Sequence, residues 1–466
     1  MLNLQSIKLK GEFKMAEKTK IWYRMNDVPS PGKTIVYALQ HLADTIPATV
    51  VIPLIVGGVL GLSPAEMAKW IGLILFGMGI CTVLQSTWGT KYAIVQGGSY
   101  SFISPYIVVA SMVGGGVSAL PVIMTALMLG ACVEMVIGYG RLMGYIRRAL
   151  SPLVIGIVIV LICLSLFPFA ISSASEHWGI AAITLFSMLI CALLIPRLFP
   201  RVAYIQTFSY LIGMGLGYAV SAGMGIIDYG PIVREPWFMV PTPFAWGLPV
   251  FNAGAFVAIL AGYFASMIES YGDYHACAAV IDEPMPDKAR INRGIGFEGL
   301  GCGIAGLFGG AGATSYTDNI GIIGLTGVAS RRVVQVAGIL LIMVGFLGKF
   351  GAVWATIPNP VMGGAWIVVW GFVIGYGINW IAKADLTSAR NVAIVGICLI
   401  IGLGLPQAIG ENPVVIATAP GLAGIINAIL SVPMAVGGIL AIILEYILPG
   451  RMKPEQLEAI MRGETS

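Results

Sequence analysis

The stretch from Pro152 to Ser172 runs without a single charged residue, and stretches of this kind recur from residue 34 to residue 449. An α-helix of about 20 apolar residues spans the hydrocarbon core of a bilayer, so a chain made of such runs is committed to lipid. Only 10% of the 466 residues are charged and 58% are hydrophobic, against about 25% charged in a soluble protein. A water-facing surface cannot be built from this composition, and no separate soluble domain is expected. The seven cysteines all fall in apolar stretches without C-x-x-C or metal-ligand spacing, and read as small core residues. Ahead of the first long run lie lysines but no short apolar segment with a cleavage site, which argues against a removable signal peptide; Met15 offers an alternative start. The net charge of +4 is small and dispersed, which gives no footprint for nucleic acid.

Apolar runs with polar or Gly/Pro breaks predict spans near 34–60, 66–88, 92–114, 118–140, 152–172, 177–196 and 203–224. After a polar stretch at 225–250, seven more follow near 251–281, 294–310, 314–328, 333–357, 359–382, 391–409 and 428–449. Lys and Arg collect on the cytoplasmic side of membrane proteins. With a cytoplasmic N-terminus, 23 of the 26 basic residues fall before the first span or after even-numbered ones, and only Lys69, Arg234 and Lys349 fall on the other side. Fourteen spans with both termini cytoplasmic are therefore expected.

Two of these spans are poor continuous helices. Gly97-Gly98-Ser99-Tyr100-Ser101 interrupts the third, and the run from Gly309 to Asp318 interrupts the tenth. Non-helical backbone at membrane depth is tolerated where it is buried in protein or lines a cavity, and a matched pair of interruptions points to a transporter's binding site. Three and ten differ by seven, which makes the second half an inverted copy of the first. Ser99-Tyr100-Ser101 echoes Ser315-Tyr316-Thr317 faintly, and Tyr100 and Ser315 are candidate substrate contacts.

Asp44, Glu134, Glu269, Asp273, Glu298 and Asp318 sit within or against the spans. A carboxylate at the centre of a spanning helix costs about 2.5–3.5 kcal/mol on insertion scales, so such residues face a polar cavity, pair, or take up a proton. A protonated acid bonded to a neighbouring helix is the plainer reading of Glu134 and an equal one for Asp44. Glu269 and Asp273 are spaced i, i+4, which puts both on one helix face. Two acids so placed repel, which suits a site that binds and releases a proton. Asp318 adds a carboxylate beside Asn319, an amide that donates and accepts. Together they suit the edge of a neutral, planar, amide-like solute, with Tyr or Phe rings on its faces. His41, next to Gln40, reads equally as interhelical glue or ligand contact, while His177 and His275 read as structural. The G-x-G-x-x-G match at Gly294–Gly299 has no strand before it, and no H-E-x-x-H, G-x-S-x-G or Walker sequence occurs. The chain carries no signature of a protease, a serine hydrolase or an ATP-driven pump.

At these residues the chain resembles the nucleobase-ascorbate transporter family, which includes uracil and xanthine permeases. The tenth-span signature, an acid, amide or proline followed by N-x-G-x(4)-T and then a basic residue or Gly, looks like Asp318-Asn319-Ile320-Gly321 through Thr326-Gly327. Gln40-His41 matches the first-span Q-H motif, Glu269-Ser270-Tyr271-Gly272-Asp273-Tyr274 is similar to E-S-x-G-D-Y, and Glu298-Gly299 resembles the D-G element. The resemblance implies an all-α polytopic fold of seven plus seven segments with short strands in spans three and ten. It further implies a core domain at 34–142 and 251–358, a gate domain at 143–250 and 359–450, cytoplasmic tails at 1–33 and 451–466, and a homodimer in the plasma membrane. On the family pattern Glu269 binds the base, Asp318 and Asn319 line the site, His41 supports it, and Asp273 and Glu298 serve proton coupling. No cofactor or metal is implied, and H+ is the expected coupling ion.

Asp318 stands where the family has Gln, Glu or Pro, and Pro is typical of ascorbate carriers, so its charge argues against ascorbate. Glu298 is longer than the usual Asp, and Asp273 resembles xanthine-type carriers where some uracil carriers have His. These features point to a xanthine- or uracil-type oxo-base moved by secondary transport, without ranking purine above pyrimidine. An anion exchanger or channel on the same inverted-repeat fold is the main alternative. Carboxylates without intramembrane Lys or Arg disfavour it unless helix N-termini supply the attraction. A membrane enzyme is a weaker third.

Overall fold

A computed structural model describes residues 21–416, 418–452 and 456. The N-terminal lysines Lys8, Lys10, Lys14, Lys18 and Lys20, and Lys453 and Arg462 of the C-terminal tail, lie outside the described residues. In chain order the principal elements of the first half are α1 (Pro31–Leu60), α2 (Pro64–Thr87), β1 (Gln96–Gly98), α3 (Ile103–Val113), α4 (Ala119–Tyr139), α5 (Pro152–Ser175), α6 (Trp178–Leu189) and α7 (Ser209–Gly223). The second half has α8 (Ala253–Val280), α9 (Lys288–Leu307), β2 (Ala313–Ser315), α10 (Thr317–Thr326), α11 (Arg331–Gly345), α12 (Gly348–Ala355), α13 (Asn359–Ile381), α14 (Ala389–Glu411), α15 (Pro420–Leu430) and α16 (Pro433–Ile447).

Among the described residues eight helices are long and apolar enough to cross a membrane, or nine if α15 and α16, bent by 83°, count as one. The helix starts are written locally. Pro occupies the first turn of α1, α2 and α5, where a missing N–H costs nothing. At α2 the Ser63 hydroxyl accepts from Glu66 N while Ser63 N donates to Glu66 Oε2 at 2.7 Å, a reciprocal cap. Gly61, at φ 69°, ends α1 in the left-handed region.

Three expectations differ from what is observed. The run 333–357 is two helices, α11 and α12, because Met239 N donates to Phe346 O at 2.8 Å and Phe238 bridges Leu347, so a distant loop takes over the backbone at the break. The run 428–449 begins earlier and bends between α15 and α16 ahead of Pro433, which has no N–H to continue a helix. Cys132 is exposed on α4, whereas the other six cysteines are buried as expected.

Ahead of the 3-10 turn Tyr100–Phe102 that leads into α3, and ahead of α10, the chain is extended. There β1 and β2 pair antiparallel, Gln96 opposite Ser315, Gly97 opposite Thr314 and Gly98 opposite Ala313. A two-stranded ribbon leaves two edges of unpaired backbone, which an apolar interior does not forgive. Side chains of the surrounding helices satisfy them. Thr82 of α2 accepts from Gln96 N at 3.0 Å and donates to Gln96 O at 3.2 Å. Thr49 of α1 accepts from Gly98 N at 3.3 Å. From α8, Ser266 donates to Ala313 O at 3.0 Å and Ser270 accepts from Ser315 N at 3.2 Å.

Small residues set the helix contacts, as expected where lipid and helix are equally apolar. A Cβ at Gly79 of α2 would stand 2.5 Å from Gly338 O of α11, and one at Gly156 of α5 would stand 2.6 Å from Gly377 O of α13. Around the ribbon α1, α2, α4, α8, α9 and α11 pack together, while α13 packs on α5 and α6, and α14 on α16. Two of the three basic residues outside the charge alternation are tied down: Lys69 donates to Ala245 O at 2.7 Å and Lys349 to Ile232 O at 2.6 Å.

Candidate functional site

Between the ribbon-bearing helices and the α5–α13 pair lies a cavity of about 150 Å³. Gly98, Tyr100, Glu269, Thr314, Tyr316 and Asp318 border it on one side, and Ile159, Ile162, Phe372 and Tyr376 on the other. Its carboxylates come from α8 and the first turn of α10, with Tyr100 and Thr314 from in and beside the two strands, and the facing wall from α5 and α13. Polar atoms at one edge of an aromatic and aliphatic slot are what fix a flat ligand's orientation.

Glu269 reaches the cavity half-buried, with the hydroxyls of Thr314 and Ser99 directed at its carboxylate. Asp318, in the first turn of α10, is exposed to it. These two candidate ligands are brought together. Asp273, one turn beyond Glu269, is buried and accepts from the Thr317 hydroxyl at 2.6 Å, while its other oxygen has no partner. Glu298, on α9, accepts from Ser266 at 3.2 Å, Ser270 at 2.6 Å and Tyr274 at 3.1 Å, all on α8. It ties α9 to α8 behind the ribbon rather than bordering the cavity.

Asn319 is fully buried and faces α1. Its Nδ2 donates to Asp44 Oδ2 at 3.1 Å and Thr45 Oγ1 at 3.0 Å, and its Oδ1 pairs with His41 Nδ1. His41 and Asn319 therefore join α1 to α10 next to the site instead of lining it. Ser315 is buried as well, accepting from Gln96 Nε2 at 2.9 Å across the ribbon. Tyr100 lines the cavity, and its hydroxyl has no partner. Glu134 is buried against α9, and neither of its oxygens has a hydrogen-bond partner, so the bonded neighbour expected for it is not there. His177 caps α6 by accepting from Ile180 N at 3.3 Å, and His275 pairs with Tyr271 O at 2.8 Å, both structural placements.

Thr314 and Tyr316, which also border the cavity, lie within the polar interruption from Gly309 to Asp318. Phe372 and Tyr376, four apart on α13, had no signal to separate them from the other aromatics of an apolar helix. Among the described residues no cluster of three or more His, Cys, Asp or Glu side chains could hold a metal ion.

The Permease family profile matches residues 32–411. Solute carrier family 23 member 2 of Rattus norvegicus is 31% identical, over 96% of this chain and 77% of its own. Nucleobase-ascorbate transporter 3 of Arabidopsis thaliana is 28% identical, over 94% of this chain and 86% of its own. Among solved structures, the transmembrane domain of a cyanobacterium bicarbonate transporter, BicA, aligns with a TM-score of 0.55 at 16% identity, over 89% of this chain and 99% of that one, a likeness of fold alone. A transporter rather than an enzyme, this multi-pass integral membrane chain belongs to the Permease family, that of the nucleobase-ascorbate transporters.

Proposed function

We propose that the chain takes a xanthine- or uracil-type oxo-base into the cell together with H+, by alternating access. The observation that carries this reading is the pair of carboxylates, Glu269 and Asp318, bordering one slot walled by Phe372 and Tyr376. Carboxylates accept ring N–H hydrogens, and the aromatic side chains stack on the faces of the base. An anionic substrate would meet two acids and no Lys or Arg among the cavity's described borders, so an anion exchanger on this fold is not favoured.

Fourteen segments in an inverted seven-plus-seven repeat are part of this reading, with β1–α3 and β2–α10 as the third and tenth. The core domain would comprise 34–142 and 251–358 and the gate 143–250 and 359–450, flanked by tails at 1–33 and 451–466. The cavity's two walls, one from each set, favour that division. Core movement against the gate would carry Glu269 and Asp318 from one side of the membrane to the other. Asp273 and Glu298 would bind the proton, each being buried within reach of a hydroxyl that contacts the ribbon or α10. Cytoplasmic termini follow from the Lys and Arg alternation, and plasma-membrane location and a homodimer from the family.

The test is initial uptake of labelled uracil, xanthine, hypoxanthine, urate and ascorbate by carrier-deficient cells expressing the chain, with and without an uncoupler. Uptake of an oxo-base that collapses with the uncoupler supports the reading. Accumulation driven by a sodium gradient and indifferent to the uncoupler overturns the proton, and ascorbate alone among the solutes overturns the substrate.

A further inference from the structure

The connection from α7 to α8 is fastened on one side only. α7 closes with Gly225 in the left-handed region and Ile226 N donating to Ser221 O at 3.1 Å, the last hydrogen bond back to that helix among the described residues. A helical turn, Gly230–Arg234, follows, and Lys349 of α12 donates to Ile232 O at 2.6 Å. Gly348 N donates to Trp237 O at 3.1 Å and Met239 N to Phe346 O, on either side of an antiparallel bridge between Phe238 and Leu347. Farther along, Phe244 N donates to Leu307 O at the end of α9 at 2.7 Å, and Lys69 of α2 donates to Ala245 O. Trp246 Nε1 donates to Gly309 O, just ahead of β2, at 3.0 Å, and Val250 N to Thr125 Oγ1 of α4 at 2.8 Å.

Among the described residues, every hydrogen bond that 230–250 makes outside the connection ends at the approach to β2, on the helices around the ribbon, or at α12, which packs on α2. None ends on α5, α6, α7 or α13. These bonds are spread over the whole segment, so sliding it along the helices beneath would break several at once. Residues 227–229 carry none of them, and Asp228 accepts from Gly230 N at 2.8 Å within the connection itself. When two packed bodies move, the backbone change falls on a few residues between rigid parts. Resting on the alternating-access reading above, we infer that residues 230–250 form a strap that travels with the ribbon-bearing helices, and that the joint between the two moving bodies on this connection is 227–229 and not the start of α8.

Phe238 and Leu347 form a non-hydrogen-bonded antiparallel pair; the Cα atoms of such a pair stand about 4.5 Å apart, within disulfide range. Phe238→Cys with Leu347→Cys, in a chain whose exposed Cys132 is replaced by Ser, is oxidised in cells. Closure is read by loss of maleimide labelling, and initial uptake of labelled xanthine and uracil is compared before and after reduction. A second pair, Tyr218→Cys with Thr356→Cys, replaces a side-chain contact of 3.3 Å between α7 and the residue just beyond α12, and is closed with a short bis-thiosulfonate. The first link should leave uptake within about twofold of the reduced protein, since both residues move together, whereas the second should cut it by more than about tenfold by locking one body to the other. Arrest by the first link overturns the inference, because the strap must then lift away from α11 and α12; failure of the first pair to close removes the bridge and overturns it too. If both links close and neither slows uptake, the alternating-access reading falls and takes this inference with it. A short Gly-Ser insert gives an independent readout: between Asp228 and Tyr229 it should leave uptake and the melting temperature in detergent unchanged, and between Pro241 and Thr242 it should lower both. The reverse pattern overturns the placement of the joint.

Discussion

The ring of Tyr316 lies against Gly97, so closely that a methyl group there would overlap the ring carbons. The Tyr316 hydroxyl goes on to donate to Gly98 O at 2.9 Å, which pins this ring, on the ribbon side of the cavity, to β1. Gly97→Ala must push the ring away, and overpacking of this kind costs about 1–3 kcal/mol. Uptake per molecule in the membrane should fall by more than about tenfold. Unchanged uptake would mean that the ring moves without consequence for the site.

Glu269→Gln should abolish uptake while the protein still inserts. The amide keeps the shape but replaces a charged double acceptor with one acceptor and one donor. Membrane abundance by immunoblot separates loss of function from loss of protein. Normal uptake of both uracil and xanthine by this variant would sink the placement of Glu269 at the base.

Ser270 joins three elements, donating to Glu298 at 2.6 Å and accepting from Ser315 N at 3.2 Å. Ser270→Ala leaves a buried acid short of a donor and a strand edge short of an acceptor, at about 1–3 kcal/mol. The purified variant should melt at lower temperature in detergent. A melting curve identical to the parent's would show that Ser266 and Tyr274 suffice for Glu298.

Asn319→Asp sets a third acid beside Asp44 and removes the donor that Asp44 and Thr45 share. Membrane abundance and uptake should both drop. Combining it with Asp44→Asn returns a donor to the contact with the direction reversed, and abundance should recover by more than the two single effects predict. Strict additivity would show that the contact between α1 and α10 does not depend on this pair.

Local signals carried the long helices well. The run beginning at Pro152 ends within a few residues of where α5 ends, because a proline in the first turn and the Ser151 hydroxyl over Val154 N fix its start and lipid-compatible composition does the rest. Spacing put Glu269 and Asp273 on one face of α8 but did not tell a cavity from a packed interior. Glu269 borders the cavity, while Asp273 meets Thr317 from another part of the chain. The break between α11 and α12 was illegible for the same reason, since the groups that satisfy it belong to residues 238 and 239. Phe372 and Tyr376 were hidden by abundance: in a chain with 18 Phe and 17 Tyr, two more on an apolar helix mark nothing.

The pairing of β1 with β2 also dictates an order of manufacture. When a ribosome has delivered Gln96–Gly98, everything from residue 99 to residue 312 remains to be made before the partner strand exists. Until then Thr82 and Thr49 hold one edge of β1, and the other stands open. Insertion of the first half is therefore not its folding. A fragment cut in the loop at 225–250 carries an unfinished strand edge, and what completes it is the other half of the same polypeptide.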